Sequence, residues 1–424
     1  VCSSDLINFV RPVNVEQKDS IITSASMRST VCIIGENLRS VTKLLFNDQE
    51  AVLNTSYMTD NTLIVTIPNE ITDVVTDKIY FITNSKDTVD FDFHVTIPAP
   101  TISSMSNEWA KAGEEVTIIG DYFLDYEDYP VTVNFGDNYT LPRSAISSIT
   151  KNRITFTMPS DVPQEVVSVT SIYGKTKAAF WYCDTRGMLF DFDTPNTKTG
   201  VVLGNNGWHA RVITSDDTSI SGNFLVMGDA AMGSDGGWND SNFSFEYWPG
   251  DWADPENYSS HPRMQDLVDL NAPDNLSLKF EMNIPADRAW SAAPMQIFFG
   301  SVTLVSSGNA GAKDIYGNVL GGANNVFFHE EGKLSRGLYM PWKDEEDLLF
   351  DTDGQWITVT IPLSDFIYDW DGNKISTTLI SADDFGAFNI FIVRGGYNDK
   401  SVLPEGVDCN PYIKIDNIRV VPNK

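Results

Sequence analysis

The first 185 residues contain an internal repeat that limits the folds open to this chain. The segment Val31–Leu38 aligns with Val116–Phe123, and both carry the sequence Ile-Ile-Gly. Further along, Leu63–Pro68 aligns with Ile154–Pro159. The offset is 85 residues at the first pair and 91 at the second, which indicates a loop insertion around Tyr126–Pro130. Two units of about 90 residues have the size of small β-sandwiches.

The rest of the sequence also predicts strands. Short alternating or β-branched runs such as Trp356–Pro362 and Ile413–Val421 are bounded by Gly, Asn, Asp and Pro, and long helical periodicity is missing. Phe190–Asp193 and Ile413–Val421 are expected to pair as the opening and closing strands of a jelly roll. The predicted fold is all-β, with two immunoglobulin-like β-sandwiches (1–97 and 98–185) followed by a larger jelly-roll-type β-sandwich (186–424). Ile97–Pro100 is the predicted joint, stiffened by proline.

The charge of the chain restricts its partners. The 424 residues include 58 acidic and 29 basic side chains, a net charge of −29. Such a surface repels phosphate backbones and disfavours anionic lipid, so we expect no nucleic acid partner and no docking on anionic membranes. A neutral ligand such as a sugar meets no such penalty.

The four cysteines are Cys2, Cys32, Cys183 and Cys409, and none forms a C-x-x-C pair. Buried or free thiols are therefore expected, without a zinc ribbon or a redox site. Cys2 stands almost at the first residue, where a bacterial lipoprotein carries its acylated cysteine, so it is the candidate for a lipid anchor. The chain has no apolar run of membrane-spanning length and no signal peptide, as expected of a mature or trimmed form.

Aromatic residues concentrate in the last part of the chain, where eight of the ten tryptophans follow residue 185. A sugar ring has an apolar face, so a site for it needs flat aromatic surface with polar side chains at the rim. The stretch from Met227 to Tyr258 has this composition. We predict that this cluster binds a polysaccharide, with packing in a satellite core as the alternative. The candidate ligand-binding residues in the whole chain are Trp208, Trp238, Tyr247, Trp248, Trp252, Trp290 and Arg394.

Several of these candidates have a second interpretation. Tyr247 and Trp248 would face opposite ways on a strand, whereas in a loop both can face a ligand. Trp208 and Trp290 suit the core as well as a platform. Arg394 can donate to sugar hydroxyls or pair with a surface carboxylate. Trp356, at the start of an alternating strand, is expected in the core.

The repeated pattern V-x-I-I-G, followed by a second strand and a strand ending in proline, resembles the IPT/TIG immunoglobulin-like domain. The whole arrangement resembles the surface glycan-binding proteins of Gram-negative gut bacteria that end in a xyloglucan-binding-like domain. The matching segments of the last part are Glu246–Pro249, Trp290–Pro294, Leu338–Trp342 and Gly354–Phe366.

This resemblance implies a monomeric, non-catalytic outer-membrane lipoprotein at the cell surface. It would hold a β-linked glycan (β-glucan, xyloglucan or β-mannan) for an outer-membrane transporter complex, with the N-terminal units as a stalk. It also implies that Tyr247 and Trp248 both belong to the platform, which makes Trp248 the strongest candidate. A fragment of residues 186–424 would then keep the full affinity.

Two other functions remain open in the sequence. One is a glycoside hydrolase or lyase with an all-β catalytic domain, because two carboxylates suffice and no spacing singles out a pair among so many. The other is a structural adhesin that binds a protein. No metalloprotease, serine hydrolase or P-loop motif occurs, and no cofactor or metal is predicted. Asp369–Asn373 is similar to a calcium loop but lacks its glutamate, so a plain turn is expected there; the sequence does not identify calcium ligands.

Overall fold

A computed structural model describes residues 6–207, 209–251, 253–254, 256–300, 335–369, 372–374, 385–395 and 403–423. Regular structure in these residues is almost entirely β-strand, and the predicted all-β fold with two immunoglobulin-like sandwiches and a jelly-roll-type sandwich is confirmed. None of the helices found there has the length and apolarity to cross a membrane.

The first sandwich has sheets of order β1-β3-β6 and β5-β4-β7-β8, with a separate β2-β9 pair. Its strands are β1 (Ile7–Pro12), β2 (Ser24–Ser26), β3 (Thr30–Gly35), β4 (Val41–Phe46), β5 (Gln49–Ala51), β6 (Thr62–Thr66), β7 (Lys78–Thr83), β8 (Thr88–Asp92) and β9 (His94–Thr96). Side chains alternate along these strands, and the inward set, with Leu44, Leu63 and Phe81 at its centre, forms one hydrophobic core.

The second sandwich has sheets of order β10-β11-β15-β14 and β13-β12-β16-β17. Its strands are β10 (Thr101–Met105), β11 (Glu115–Asp121), β12 (Thr132–Phe135), β13 (Tyr139–Thr140), β14 (Ile146–Thr150), β15 (Arg153–Thr157), β16 (Val166–Ser171) and β17 (Gly174–Trp181). The two repeated motifs pair with each other in both sandwiches, β3 with β6 and β11 with β15. The repeat in the sequence is therefore a repeat of the same strand pairing.

The glycine of the repeated Ile-Ile-Gly motif is required for the same reason in both units. A Cβ on Gly35 would lie 1.9 Å from the carbonyl oxygen of Leu6, and a Cβ on Gly120 would lie 1.9 Å from that of Thr101. In each case the preceding strand of the sheet approaches too closely for any side chain. The glycine is required by this close approach of two backbones.

The C-terminal domain places two sheets on opposite sides of one core. Its strands are β18 (Met188–Phe190), β19 (Val212–Thr214), β20 (Phe224–Gly228), β21 (Ser244–Tyr247), β22 (Leu276–Asn283), β23 (Met295–Gly300), β24 (Gly337–Tyr339), β25 (Ile357–Pro362), β26 (Ala387–Ile392) and β27 (Tyr412–Pro422), and its helices are α1 (Asp240–Phe243) and α2 (Met264–Leu267). The six-stranded sheet runs β19-β20-β27-β22-β25, with β18 also paired to β27. The four-stranded sheet runs β21-β26-β23-β24.

The first and last strands of this domain pair as predicted, with Met188 opposite Arg419 and Phe190 opposite Ile418, but the first strand is Met188–Phe190 rather than Phe190–Asp193. Cys32, Cys183 and Cys409 are free thiols, in agreement with the expectation for them. The predicted lipid anchor, Cys2, lies outside the described residues.

Candidate functional site

The four-stranded sheet of the C-terminal domain presents two different faces. Phe245, Phe388 and Ile297 point into the core. The alternate residues of the same strands point outward, and among them Glu246 lies opposite Asn389, which in turn lies opposite Phe298. These outward residues combine buried aromatic rings with buried polar groups, which is the mixture a sugar site requires.

Three aromatic rings follow one another on this outer face. The ring centres of Trp238 and Phe391 are 6.1 Å apart with planes inclined by 24°, and those of Phe391 and Phe298 are 6.0 Å apart with planes inclined by 17°. The Arg336 guanidinium carbon lies 4.7 Å from the ring centre of Phe298, at the other end. Of the three rings, which we call the aromatic row, only Trp238 is exposed, by 50%. Trp238 is therefore a half-exposed indole on an aromatic support.

The segment that carries Trp238 is fixed on both sides. On one side, the backbone amide of Arg394 donates to the carbonyl of Gly236, at 3.2 Å. On the other side, α1 begins two residues after Trp238 and ends at Phe243, which is buried in the core. Exposure of the indole therefore does not result from a loose loop.

A tryptophan and an asparagine meet beside the aromatic row. The indole Nε1 of Trp248 donates to Oδ1 of Asn389 on the neighbouring strand, at 3.2 Å. This bond fixes the amide orientation, because an indole only donates. The Nδ2 of Asn389 is buried and has no hydrogen-bond partner among the described residues. A buried unsatisfied donor costs about 1–3 kcal/mol, so this amide is a candidate for a bound hydroxyl.

The edge of the sheet next to β21 is held by a short segment with two asparagines. Oδ1 of Asn205 accepts from the backbone amide of Glu246 at 2.8 Å, and the amide of Asn206 donates to the carbonyl of Glu246 at 2.8 Å. The Glu246 carboxylate lies 3.6 Å from the buried Arg211 guanidinium. Burial lowers the pKa of Arg211, and Glu246 and Asp240 oppose that shift. The charge of Glu246 at this edge is thus balanced by Arg211 within the domain.

Two sequence candidates lie in the core, and this corrects the expectation for them. Tyr247 points inward, fully buried, and its hydroxyl donates to the carbonyl of Pro262 at 2.7 Å. Trp290 is also fully buried, and its Nε1 donates to the carbonyl of Ala293 at 3.0 Å. Neither ring has exposed surface with which to stack on a sugar. Tyr247 lies on β21, so of the two interpretations of the Tyr247–Trp248 pair the structure has the strand, with the two rings on opposite faces.

The other candidates have different environments. Trp248 lies on the outer face but is only 4% exposed. The Arg394 guanidinium donates to the carbonyls of Pro404, at 3.1 Å, and Leu403, at 2.5 Å. It therefore holds the backbone of these two residues in place. Trp208 and Trp252 lie outside the described residues.

The remaining expectations concern a core residue and a turn. Trp356 is buried as predicted, in a small cluster with Phe224 and Val226 outside the main core. The carboxylate of Asp369 accepts from the backbone amide of Asn373 at 2.9 Å, as expected of a turn. Within the described ranges, no group of His, Cys, Asp and Glu has the arrangement of a metal site.

Sequence reasoning missed Asn389, Phe391, Phe298 and Gln296, the last of which accepts from the Arg336 guanidinium at 3.2 Å. All four lie in the runs Met295–Phe299 and Ala387–Ile392, which are apolar except for Gln296 and Asn389. A lone amide inside an apolar strand is the signal that identifies an outer face, because its alternate neighbours share that face.

Comparison with known proteins covers nearly the whole chain. Residues 182–422 match the family described as surface glycan-binding protein B xyloglucan binding domain, and residues 100–182 match the IPT/TIG domain family. The crystal structure of the surface glycan-binding protein PbSGBP-B from Prevotella bryantii is similar over 99% of both chains, with 58% identity and a TM-score of 0.92. A curated IPT/TIG domain-containing protein from Bacteroides ovatus is 27% identical over 182 residues, and the match spans 40% of this chain and 37% of that protein.

Proposed function

The chain belongs to the surface glycan-binding protein B family with a xyloglucan-binding domain, and from this premise we propose that it captures a neutral β-linked glycan on the outer face of the four-stranded sheet without cleaving it. The proposed ligands are xyloglucan, which the family description names, and the related β-glucans and β-mannans. The capture serves import by an outer-membrane transporter complex, and Cys2 anchors the chain to the outer membrane.

The exposed indole of Trp238 carries this proposal. It lies parallel to Phe391 and is 50% exposed. A flat, rigid ring of this kind matches the apolar face of a sugar and loses little conformational freedom on binding. The aromatic row behind it holds the indole in one orientation, which lowers the entropy lost when the glycan binds.

The polar groups of the same face support a hydroxylated ligand. Asn389 lies in the strand next to β21, with a donor that no group in the described part of the chain accepts. Trp248 fills the space beside it and orients its amide. Both residues are almost fully buried, and we propose that the amide becomes accessible only when the glycan binds.

Two buried glutamates in the described part of this domain are not arranged for hydrolysis. Glycoside hydrolysis needs an acid and a second carboxylate on opposite sides of the scissile bond, roughly 5–9.5 Å apart. Glu246 is buried and held beside Arg211. Glu281 lies on the other sheet and is held by Arg419. Neither is presented to a polysaccharide on the outer face of the four-stranded sheet.

Affinity electrophoresis of the whole chain in gels containing xyloglucan, mixed-linkage β-glucan, laminarin or β-mannan tests the proposal. We expect retardation in at least one of these gels and no increase in reducing sugar when the same glycan is incubated with the protein. Release of reducing sugar would overturn the non-catalytic role. Unretarded migration in all four gels would overturn glycan capture and favour the adhesin.

A further inference from the structure

The second sandwich inserts a carboxylate into the C-terminal domain. Glu108, in the connection between β10 and β11, is 1% exposed. Its carboxylate accepts a hydrogen bond from the Arg419 guanidinium at 2.8 Å and pairs with the Lys279 ammonium. Arg419 and Lys279 both belong to the six-stranded sheet, where they lie opposite each other on β27 and β22.

A second acid completes the buried group. Glu281, also on β22, accepts from the Arg419 guanidinium at 2.7 and 3.0 Å and from the Thr358 hydroxyl at 2.9 Å. Burial raises the pKa of Glu281, and Arg419 opposes that shift. The four side chains Glu108, Lys279, Glu281 and Arg419, here called the buried quartet, carry two charges of each sign. Their neutrality depends on Glu108, which comes from another sandwich.

Backbone and apolar contacts surround the quartet. The amide of Thr358 on β25 donates to the carbonyl of Ser106 at 2.9 Å, and the amide of Glu108 donates to the Thr358 hydroxyl at 2.7 Å. Trp109 packs against the cluster that contains Phe224 and Trp356. The two sandwiches are thus joined by polar and apolar contacts together.

The buried quartet and the glycan face lie on opposite sides of the C-terminal domain. Along β22, Leu278, Phe280 and Met282 point into the core, so Lys279 and Glu281 point away from it. The four-stranded sheet covers the other side of that core. The second sandwich therefore packs against the side of the C-terminal domain that lies away from the aromatic row.

We propose that the outer face of the six-stranded sheet is a docking surface for the second sandwich, and that Glu108 locks the two into one cooperative unit that presents the glycan face outward. Removing one partner of a buried ion pair leaves an uncompensated charge, which is strongly destabilising. A fragment of residues 186–424 has Lys279 and Arg419 without Glu108. The second sandwich is then a structural part of the binding unit. That residues 186–424 alone keep the full affinity stays a prediction.

Hydrogen exchange of the intact chain, read by mass spectrometry, tests the docking surface without any glycan. Glu108→Gln keeps the shape of the side chain and removes its charge. We expect exchange to become on the order of a hundred-fold faster both in β11 of the second sandwich and in β26, which is remote from the quartet. Strand β4 of the first sandwich should stay unchanged and serves as the internal reference.

The control is Glu115→Gln, which removes an exposed carboxylate of the same sandwich. It should leave exchange unchanged throughout. Glu108→Gln combined with Lys279→Met removes one charge of each sign, and we expect it to restore most of the protection. An increase confined to β11, or no recovery in the double variant, would overturn the proposal. Because no ligand is used, this result is independent of whether the chain binds a glycan.

Discussion

The indole of Trp238 lies parallel to the phenyl ring of Phe391, with 6.1 Å between ring centres and 24° between planes. Phe391 belongs to β26, so the exposed ring is supported by a strand inside the sheet. An indole on a loop alone would lose more freedom when a ligand arrives. The contact converts a single exposed tryptophan into a preorganised surface.

Asn389→Leu tests the polar part of the site. We expect glycan affinity to fall about tenfold, because the variant loses the amide donor and the acceptor that orients Trp248. The free energy of unfolding should change little, because the buried Nδ2 donor of Asn389 is removed while the buried Nε1 donor of Trp248 loses its Asn389 acceptor, and the two costs are of similar size. Titration calorimetry and thermal unfolding measure the two quantities. Wild-type affinity in this variant would show that the Asn389 amide has only a structural role.

Trp290→Ala should affect folding first. The side chain is fully buried in the main core and is hydrogen-bonded to Ala293. We expect the free energy of unfolding to fall by about 3–5 kcal/mol, as for other large buried aromatic residues replaced by alanine. Denaturant titration with tryptophan fluorescence gives this value. A variant with unchanged stability and lost glycan binding would contradict the core position and show that Trp290 contacts the glycan.

The stability of the C-terminal domain should depend on pH through Asp416. Burial raises the pKa of Asp416 from 3.8 to about 8 in the folded protein, although bonds from Ser221 and Asn417 oppose the shift. Between about pH 4 and pH 8 the folded state therefore holds a proton that the unfolded state releases. Stability should fall as pH rises through this window, by up to about 1.4 kcal/mol per pH unit.

Asp416→Asn removes this titration and provides the comparison. Between pH 5 and pH 7, the stability of the variant relative to the wild type should rise by about 2–3 kcal/mol. The control is Asp287→Asn, which changes an exposed carboxylate of the same domain. Parallel stability curves for wild type and Asp416→Asn would contradict the assignment.

Ionic strength distinguishes a neutral from a charged glycan. A neutral chain releases no counterions, so its affinity should change by less than about twofold between low and moderate salt. The same calorimetric titration at several salt concentrations measures this. A steep loss of affinity would indicate an acidic or sulfated ligand held by Lys and Arg, despite the net charge of −29.

The fold could be predicted from the sequence because the patterns that indicate its strands are local. The Ile-Ile-Gly repeat reflects the same strand pairing in two sandwiches, and the alternating runs at both ends of the last domain mark strands that pair with each other. Trp356 was placed in the core from its position in such a run, although its neighbours include Trp109 of the second sandwich.

The site could be predicted only in part from the sequence. A shift of one residue in the start of a strand moves each of its side chains to the other face of the sheet. The sequence left open whether Tyr247 and Trp248 lie in a loop or on β21, and only the strand sends Tyr247 into the core. Asn389 and Phe391 looked like ordinary members of a buried strand. Their role depends on Trp238, which is more than 150 residues away in the chain and reaches them only through the fold.

Titration calorimetry of Trp238→Ala against the retained glycan, paired with thermal unfolding, tests the central claim most directly. Truncation of an anchoring aromatic costs about 2 kcal/mol or more, which is roughly thirty-fold in affinity. We expect that loss with an unchanged melting temperature, because half of the Trp238 surface is exposed. Wild-type affinity in a Trp238→Ala protein with wild-type melting would contradict the account and move the glycan to another surface.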